Sequence, residues 1–217
     1  SIGIIMASSY TTSLKIQLIG NGEQSGVWGT STNNNWNLIE QATAGVVQIT
    51  MVNANYTLSN SNGVSDEARN AVLVVSGTNN AQRDIIAPLA NKLYTVYNLT
   101  TGGYSIRIRG TSGSAVVIPN GITALVYCDG VNFYAGLTGA AGNFGVAGNE
   151  TVGGNLTVTG TTTMTGNATA PTQSSSDNST KVATTAYVTT AVTNATGSWG
   201  TMSTQNANAV AITGGTI

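Results

Sequence analysis

The last eighty residues of this chain are too poor in apolar side chains to close a core of their own. After Gly136 only Glu150, Asp177 and Lys181 carry charge, and between Thr151 and Thr190 fourteen of forty residues are threonine. In VGGNLTVTGTTTMTGNATAP the main apolar side chains are Leu156, Val158 and Met164. Ordering a residue costs about 1–2 kcal/mol of backbone entropy, and so few apolar groups do not offset that within one chain. The segment is either disordered or buries those side chains against other copies of itself. Alternation in NLTVTG sets Leu156 and Val158 on one face, with Thr157 and Thr159 on the other. The next stretch, SDNSTKVATTAYVTTAVTNATG, changes to helical spacing, with Val182, Ala186, Thr189, Val192 and Thr196 close to three-four intervals. Asp177 to Ser179 offer N-caps and Gly197 an end. A stripe of Val, Ala and Thr is thin for a lone helix but adequate on a narrow axis shared by several.

The whole chain shows the same economy of charge. Its 217 residues hold seven Lys plus Arg and eight Asp plus Glu, 7% charged, with no histidine, against roughly 25% in an ordinary domain. Net charge near −1 and mean hydropathy of +0.08 do not match the low-hydropathy, high-charge pattern of disorder. Nucleic acid would require clustered Lys and Arg, and a membrane span roughly 18 or more apolar residues in a row; neither is present in the sequence. Without histidine the usual general base and the commonest metal ligand are missing. One cysteine, Cys128, forbids a disulfide within the chain and reads as a small buried hydrophobe. No cofactor is implied.

Residues 1–137 hold the other twelve charges and seven of the eight tyrosines. WGTSTNNNWNLIEQATAG (28–45) spaces Trp36, Ile39, Glu40 and Thr43 helically and predicts a helix from about Thr32 to Ala44, capped from Ser31–Asn34 and ended by Gly45. Then come short β-branched and aromatic runs: VVQITM (46–51), AVLVVS (71–76), RDIIAP (83–88), LYTVYNL (93–99), YSIRIRG (104–110), AVVIP (115–119), ITALVYC (122–128) and VNFYAG (131–136). Their spacing favours a β-sandwich or barrel, and Asp129-Gly130 suggests a two-residue hairpin. In LYTVYNL both faces are partly apolar, which predicts cover on both sides. GLTGAAGNFGVAG (136–148) reads as a Gly-rich connector.

Sharper motifs give way to plainer ones. GNGEQSG (20–26) lacks the spacing and the Lys-Ser/Thr of a phosphate loop and reads as a tight turn. Seven Asn-x-Ser/Thr sequons follow from a chain rich in Asn and Thr. Arg107 and Arg109 project from one strand face, where they either hold an anionic sugar or pair with Asp66, Glu67 or Asp84. Acid–base cleavage of polysaccharide needs two carboxylates about 5–10 Å apart; Asp66 and Glu67 would diverge, and nothing marks Asp84 and Asp129 as a pair. Trp28 and Trp36 are core or docking residues, equally suited to anchor the chain in a socket.

APTQSSSDNSTKVATTAYV (170–188) resembles the APxxxSxDxSTKVATTAYV signature of tail fibre and baseplate-associated proteins of tailed bacteriophages. WGTMSTQNANAVAITGGTI (199–217) is similar to a second element repeated in such fibres, and the order RDIIAP, LYTVYN, AVVIPNG, VYCDGVNFY is similar to an N-terminal fibre region. The resemblance implies a mainly β structural virion protein that acts as a parallel homotrimer and is not an enzyme. Its layout would be a virion-attachment segment with a short helix (1–45), a β-sandwich-like domain (46–137), a Gly/Thr-rich β shaft (138–170), a short trimeric, coiled-coil-like helix (171–197) and the start of a further β repeat (198–217). Trp28 and Trp36 would dock on a tail or baseplate protein. Leu156, Val158, Val182, Ala186, Thr189 and Val192 would line the three-fold seam. A host receptor would be bound by a C-terminal part beyond Ile217, and Met6-Ala-Ser-Ser-Tyr reads like a translation start. The alternatives are a carbohydrate-binding module, with exposed tyrosines and Arg107 and Arg109 reading sugar, or a capsule depolymerase.

Overall fold

The computed structural model describes residues 7–139, 143–197 and 208 and divides the chain into two compact units, Ser1–Gly145 and Val146–Ile217. The expected translation start at Met6 and, apart from Asn208, the further repeat over 198–217 lie outside the described residues. The described residues are mainly β, with three sheets and two helices.

In the first unit a small hairpin, β1 (Ser9–Tyr10) with β2 (Gln17–Leu18), precedes α1 (Trp28–Ala44). Nine strands follow: β3 (Val46–Met51), β4 (Tyr56–Thr57), β5 (Val72–Gly77), β6 (Arg83–Ile86), β7 (Asn91–Asn98), β8 (Ile106–Arg109), β9 (Ala115–Ile118), β10 (Thr123–Asp129) and β11 (Phe133–Ala135). They form a five-stranded sheet in the order β11-β10-β7-β5-β3 and a four-stranded sheet in the order β4-β6-β8-β9. From β3 to β8 the chain alternates between the sheets, so sequential strands do not pair; each pairs in parallel with the strand one turn later. Val72 pairs with Thr95, Thr78 with Thr101 and Arg83 with Ile106, each 23 residues on, whereas the first turn is longer, Val46 pairing with Val72 and Tyr56 with Ile85. The antiparallel β8–β9 and β10–β11 hairpins, with β10 laid against β7, end this coil.

The sheets share one core. Ile49, Leu73, Val75, Tyr94, Val96, Val126 and Phe133 come from the five-stranded sheet, and Ile85, Ile106, Ile108 and Ile118 from the four-stranded one. The unit is mainly β, as the strand spacing predicts, but its coil is parallel rather than the antiparallel arrangement of a sandwich or barrel, a pairing that strand-by-strand alternation does not reveal. Within β7, Tyr94, Val96 and Asn98 are buried, while Leu93 on the opposite face is exposed; among the described residues the expected second cover over Leu93 is not found. Cys128 is buried, as expected. Gly77 closes the β3–β5 rung at φ +95°, and a Cβ there would meet the Met51 carbonyl oxygen at 2.1 Å, so no other residue fits without moving backbone.

Two local expectations need correction. The β10–β11 connection is the three residues Gly130 to Asn132 rather than the two-residue turn Asp129-Gly130, because one Asp129 carboxylate oxygen accepts the N–H groups of both Val131 (2.9 Å) and Asn132 (2.7 Å) and organises the longer turn. Helix α1 begins at Trp28 rather than Thr32 and has no side-chain N-cap. The residues expected to cap it, Ser31–Asn34, lie inside it; the Asn34 amide donates to the Gly63 carbonyl (2.7 Å), and its neighbour Asn35 exchanges two bonds with the Gln17 backbone. The turn at 20–26 therefore leads directly into helix. At the other end Gly45 donates to the Gln41 carbonyl, where a Cβ would lie 2.3 Å from that oxygen.

The longer return between β4 and β5 carries a buried ion pair, Arg69 to Asp66 at 3.3 Å. Arg69 also donates to the carbonyls of Leu14, Ser61 and Val64, and Asp66 accepts the N–H of Ser61 and of Arg69 itself. Every charge-bearing atom thus has partners, and losing either residue would strand the other in a low-dielectric site. Nearby, the Lys92 ammonium sits 4.6 Å from the Tyr94 ring centroid. Burial lowers its pKa to about 8 from 10.5, against the opposing pull of Asp66 and with a smaller push from Arg69.

In the second unit α2 (Thr185–Gly197) is the element of regular structure among the described residues. Its cap is Thr184, not Asp177–Ser179: the Thr184 hydroxyl accepts the Tyr187 N–H at 3.2 Å. Asp177 instead bonds the Ser179 N–H and the Lys181 ammonium in the preceding loop. NLTVTG forms no strand, since an extended segment without a neighbour has no ladder to complete.

A folded pKa lowered for Lys92 means that the unfolded chain binds the extra proton between pH about 8 and 10.5, so its contribution to stability rises with pH through that window. Lys92→Met is expected to be more stable than the parent at pH 7 and to lose this rise, as measured by denaturant unfolding at stepped pH.

Candidate functional site

Helix α1 turns one face to its own unit and another to solvent. Leu38 is buried, and the Gln41 amide donates to the Ser65 hydroxyl (2.7 Å) and the Asp66 carbonyl (3.2 Å), so this side is held by apolar contact and amide bonds. On the other side Trp28 and Trp36 are each 63% exposed and Ile39 is exposed beside them. Trp36 and Ile39 are one helical turn apart, and Trp28 lies three turns from Ile39, so the three project along one stripe. Both tryptophans are therefore surface residues of the unit, not core. Exposed tryptophan is uncommon away from interaction surfaces, where it contributes large contact area at low entropic cost.

The arginines read from IRIR do not form an open anion site. Arg107 grips Asp84 through two bonds, 2.7 Å and 3.0 Å, and Arg109 approaches the same carboxylate at 3.8 Å. Register places Asp84 directly beside Arg107 on the outer face of the four-stranded sheet. Of the three carboxylates proposed as partners, Asp84 takes both arginines. The exposed tyrosines Tyr127 and Tyr134, stacked at 5.2 Å, lie on the outer face of the other sheet. The sugar-reading combination of these tyrosines with Arg107 and Arg109 is thus split between the outer faces of the two sheets.

The carboxylates have structural partners. Glu67 accepts the Tyr56 hydroxyl (2.6 Å), the Ser59 N–H (2.8 Å) and the Ser59 hydroxyl (3.1 Å). Burial pushes Glu67 up, but these three donors outweigh it and leave its pKa below the ordinary value. Asp66 turns the other way, toward Ser61 and Arg69, as neighbouring residues must. Among the described residues no cluster of three or more His, Cys, Asp or Glu could hold a metal ion, and no helix is long and apolar enough to cross a membrane.

In the second unit no described residue is buried. Leu156, Val158, Val182 and Val192 are exposed, and Ala186 and Thr189 lie exposed on α2. Val182 precedes the helix, so it does not share a helical stripe with the others. The loop 171–184 folds onto one side of α2: the Tyr187 hydroxyl donates to the Asp177 carbonyl (2.7 Å), Thr172 bonds Thr184 (3.0 Å) and Asn194 donates to Ser175 (3.3 Å). Away from that clasp Val188 and Val192 stand one turn apart, both exposed. The hydroxyls of Thr189, Thr193 and Thr196 donate to carbonyls four residues earlier, at 2.9, 2.9 and 3.0 Å. With its hydroxyl so engaged, each threonine presents a methyl group outward and behaves like a small valine. Sequence reasoning missed Val188 and the clasp of Tyr187; the i, i+4 pairing of Val188 with Val192 was the available signal.

Set against protein-family models, curated proteins and solved structures, the chain matches none of them.

Replacing Thr184 by Ala removes the cap of α2 and is expected to destabilise that helix by about 1 kcal/mol, while Thr184→Ser, which keeps the hydroxyl, restores it. Amide hydrogen exchange across Thr185–Gly197 reads both changes.

Proposed function

We propose that this chain is a structural virion protein, the proximal portion of a trimeric tail fibre of a tailed bacteriophage, which attaches to the tail or baseplate and projects a receptor-binding region toward the host. The observation that carries the reading is the contrast between the two units. The first closes a full core, whereas Val146–Gly197 has no buried residue and exposes Leu156, Val158, Val188 and Val192. A sequence of that kind gains order by burying the same few side chains against identical neighbours. The phage-like signature at 170–188 adds to this, because Asp177, Thr184 and Tyr187 within it build the clasp on α2.

On this reading Trp28 and Trp36 dock the chain on a tail or baseplate protein, and the β unit forms a base. Leu156, Val158, Ala186, Thr189 and Val192, joined by Val188, contribute to a three-fold seam, with Val182 packing outside the helix. The function is mechanical and adhesive. A carbohydrate-binding module has less support, since Arg107 and Arg109 are engaged by Asp84 and the stacked pair Tyr127 and Tyr134 lies on the other sheet.

Light scattering of the purified chain is expected to return three copies per particle, and Val188→Asp with Val192→Asp is expected to shift the mass toward one copy while the β unit keeps its unfolding transition. A stable monomer before any substitution, or binding of host polysaccharide by that monomer, would overturn the assignment. Imaging of whole particles with a tag at Ile217 places the chain directly: label on a tail appendage supports it, and label elsewhere contradicts it.

A further inference from the structure

Three asparagines in this chain are followed by glycine: Asn21–Gly22, Asn62–Gly63 and Asn120–Gly121. Such a pair can react with itself. The glycine nitrogen attacks the asparagine Cγ, a C–N bond forms, ammonia leaves with the displaced proton, and a five-membered succinimide remains. Water then opens the ring at either carbonyl. One opening gives aspartate; the other gives isoaspartate, with the asparagine Cβ now in the backbone. Asparagine and water become an aspartyl residue and ammonia, with no change of oxidation state. Two groups have to be free for this, the glycine N–H and the side-chain amide that must swing over it. Glycine favours the closure because it has no Cβ to restrict the backbone.

The fold separates the three pairs. The Gly63 N–H donates to the Lys15 carbonyl (2.9 Å), and the Gly63 carbonyl accepts the Asn34 amide (2.7 Å), so this glycine is held on both sides. The Gly121 N–H donates to the Asn98 carbonyl (2.9 Å), and the Asn120 side-chain amide donates to the Thr100 carbonyl, so both reacting groups are engaged. Asn21 and Gly22 sit at the tip of a turn closed by the Glu23 N–H on the Gly20 carbonyl (3.1 Å). Gly22 has φ +79°, the value that a type II turn asks of its third residue. Both residues are exposed, and a Cβ on Gly22 would meet nothing within 4 Å. Among the described residues neither the Gly22 N–H nor the Asn21 side chain has a hydrogen-bond partner. We propose that Asn21 is the site at which the folded chain modifies itself by deamidation, with Asn62 and Asn120 locked until the fold opens. The product adds a negative charge beside Glu23, which accepts the Ser8 hydroxyl, and just ahead of α1, whose first turn has no acidic residue and no side-chain cap. By the isoaspartate route it also lengthens the backbone of the turn that feeds that helix. None of this depends on the fibre reading.

The test incubates the full chain at mildly alkaline pH and then cleaves it after glutamate. Cuts at Glu23, Glu40, Glu67 and Glu150 put the three asparagines on separate fragments. The exchange of NH2 for OH is read on each fragment by its mass and its added charge. In the folded chain Asn21 is expected to convert about tenfold faster than Asn62 or Asn120, because those two wait on local opening. In denaturant the three are expected to convert at similar rates, which assigns the difference to the fold. Equal rates in the folded chain overturn the proposal, as does Asn62 or Asn120 converting first. It is also overturned if Asn21 stays intact in the folded chain while the denatured chain converts. A lead of the same size in denaturant overturns it as well, since flanking sequence alone would then account for it. The fibre assignment is read from particle mass and stands or falls separately.

Discussion

Burial has to exceed the entropy of ordering, and the two units of this chain meet that condition by different routes. In the first, two sheets press Ile, Leu, Val, Tyr and Phe side chains into one core, so the ordering of nine strands is offset inside the chain. In the second, no described residue is buried. What local order it has comes from hydrogen bonds: the Thr184 cap, the Tyr187 bond to Asp177 and the backbone of α2. Such bonds contribute only about 1 kcal/mol each in net terms. They shape a surface rather than stabilise a domain, and the surface they shape is methyl-lined.

The parallel coil explains how so uncharged a unit keeps definite faces. Over the second turn, with its advance of 23 residues, positions of like burial pair with one another: Val75 with Asn98 inside, Val74 with Tyr97 outside, Ile85 with Ile108 inside. One sheet then collects Asp84, Arg107 and Arg109 on its surface while the other collects tyrosines and leucines. The Asp66–Arg69 pair fastens the N-terminal segment to this frame through the Leu14 carbonyl, and α1 is fastened through Asn34, Asn35 and Gln41. Those polar attachments leave the Trp28, Trp36 and Ile39 stripe outward.

Much of the fold was legible from local pattern. Each β-branched run between Gly45 and Gly136 became a strand, because period-2 alternation reports which side chains go inside whatever the pairing partner is, whereas NLTVTG, with no neighbour, did not. The partner was not legible: parallel rungs join residues more than twenty positions apart at a spacing that changes between turns, and Val72-Leu73-Val74-Val75 and Thr95-Val96-Tyr97-Asn98 share a burial pattern rather than residue identities. The caps were misread for a related reason. Asn34 and Asp177 are good N-caps by type, but each has a competing partner, the Gly63 carbonyl for Asn34 and its own loop for Asp177. Among candidate site residues, the exposure of Trp28 and Trp36 and the link between Arg107 and Asp84 were among the readings weighed from sequence. That Arg107 and Arg109 lie on one sheet and Tyr127 and Tyr134 on the other follows from topology alone, and no spacing in the sequence encodes it.

Hydrogen exchange of the α2 amides during dilution, with particle mass followed by light scattering, bears most directly on the claim that this chain is completed by its own copies. The account predicts that Thr185–Gly197 is protected in a three-chain particle and loses that protection when dilution brings the mass down to one chain, while the amides of β5 and β7 stay protected throughout. Protection of α2 that is unchanged at single-chain mass would contradict it.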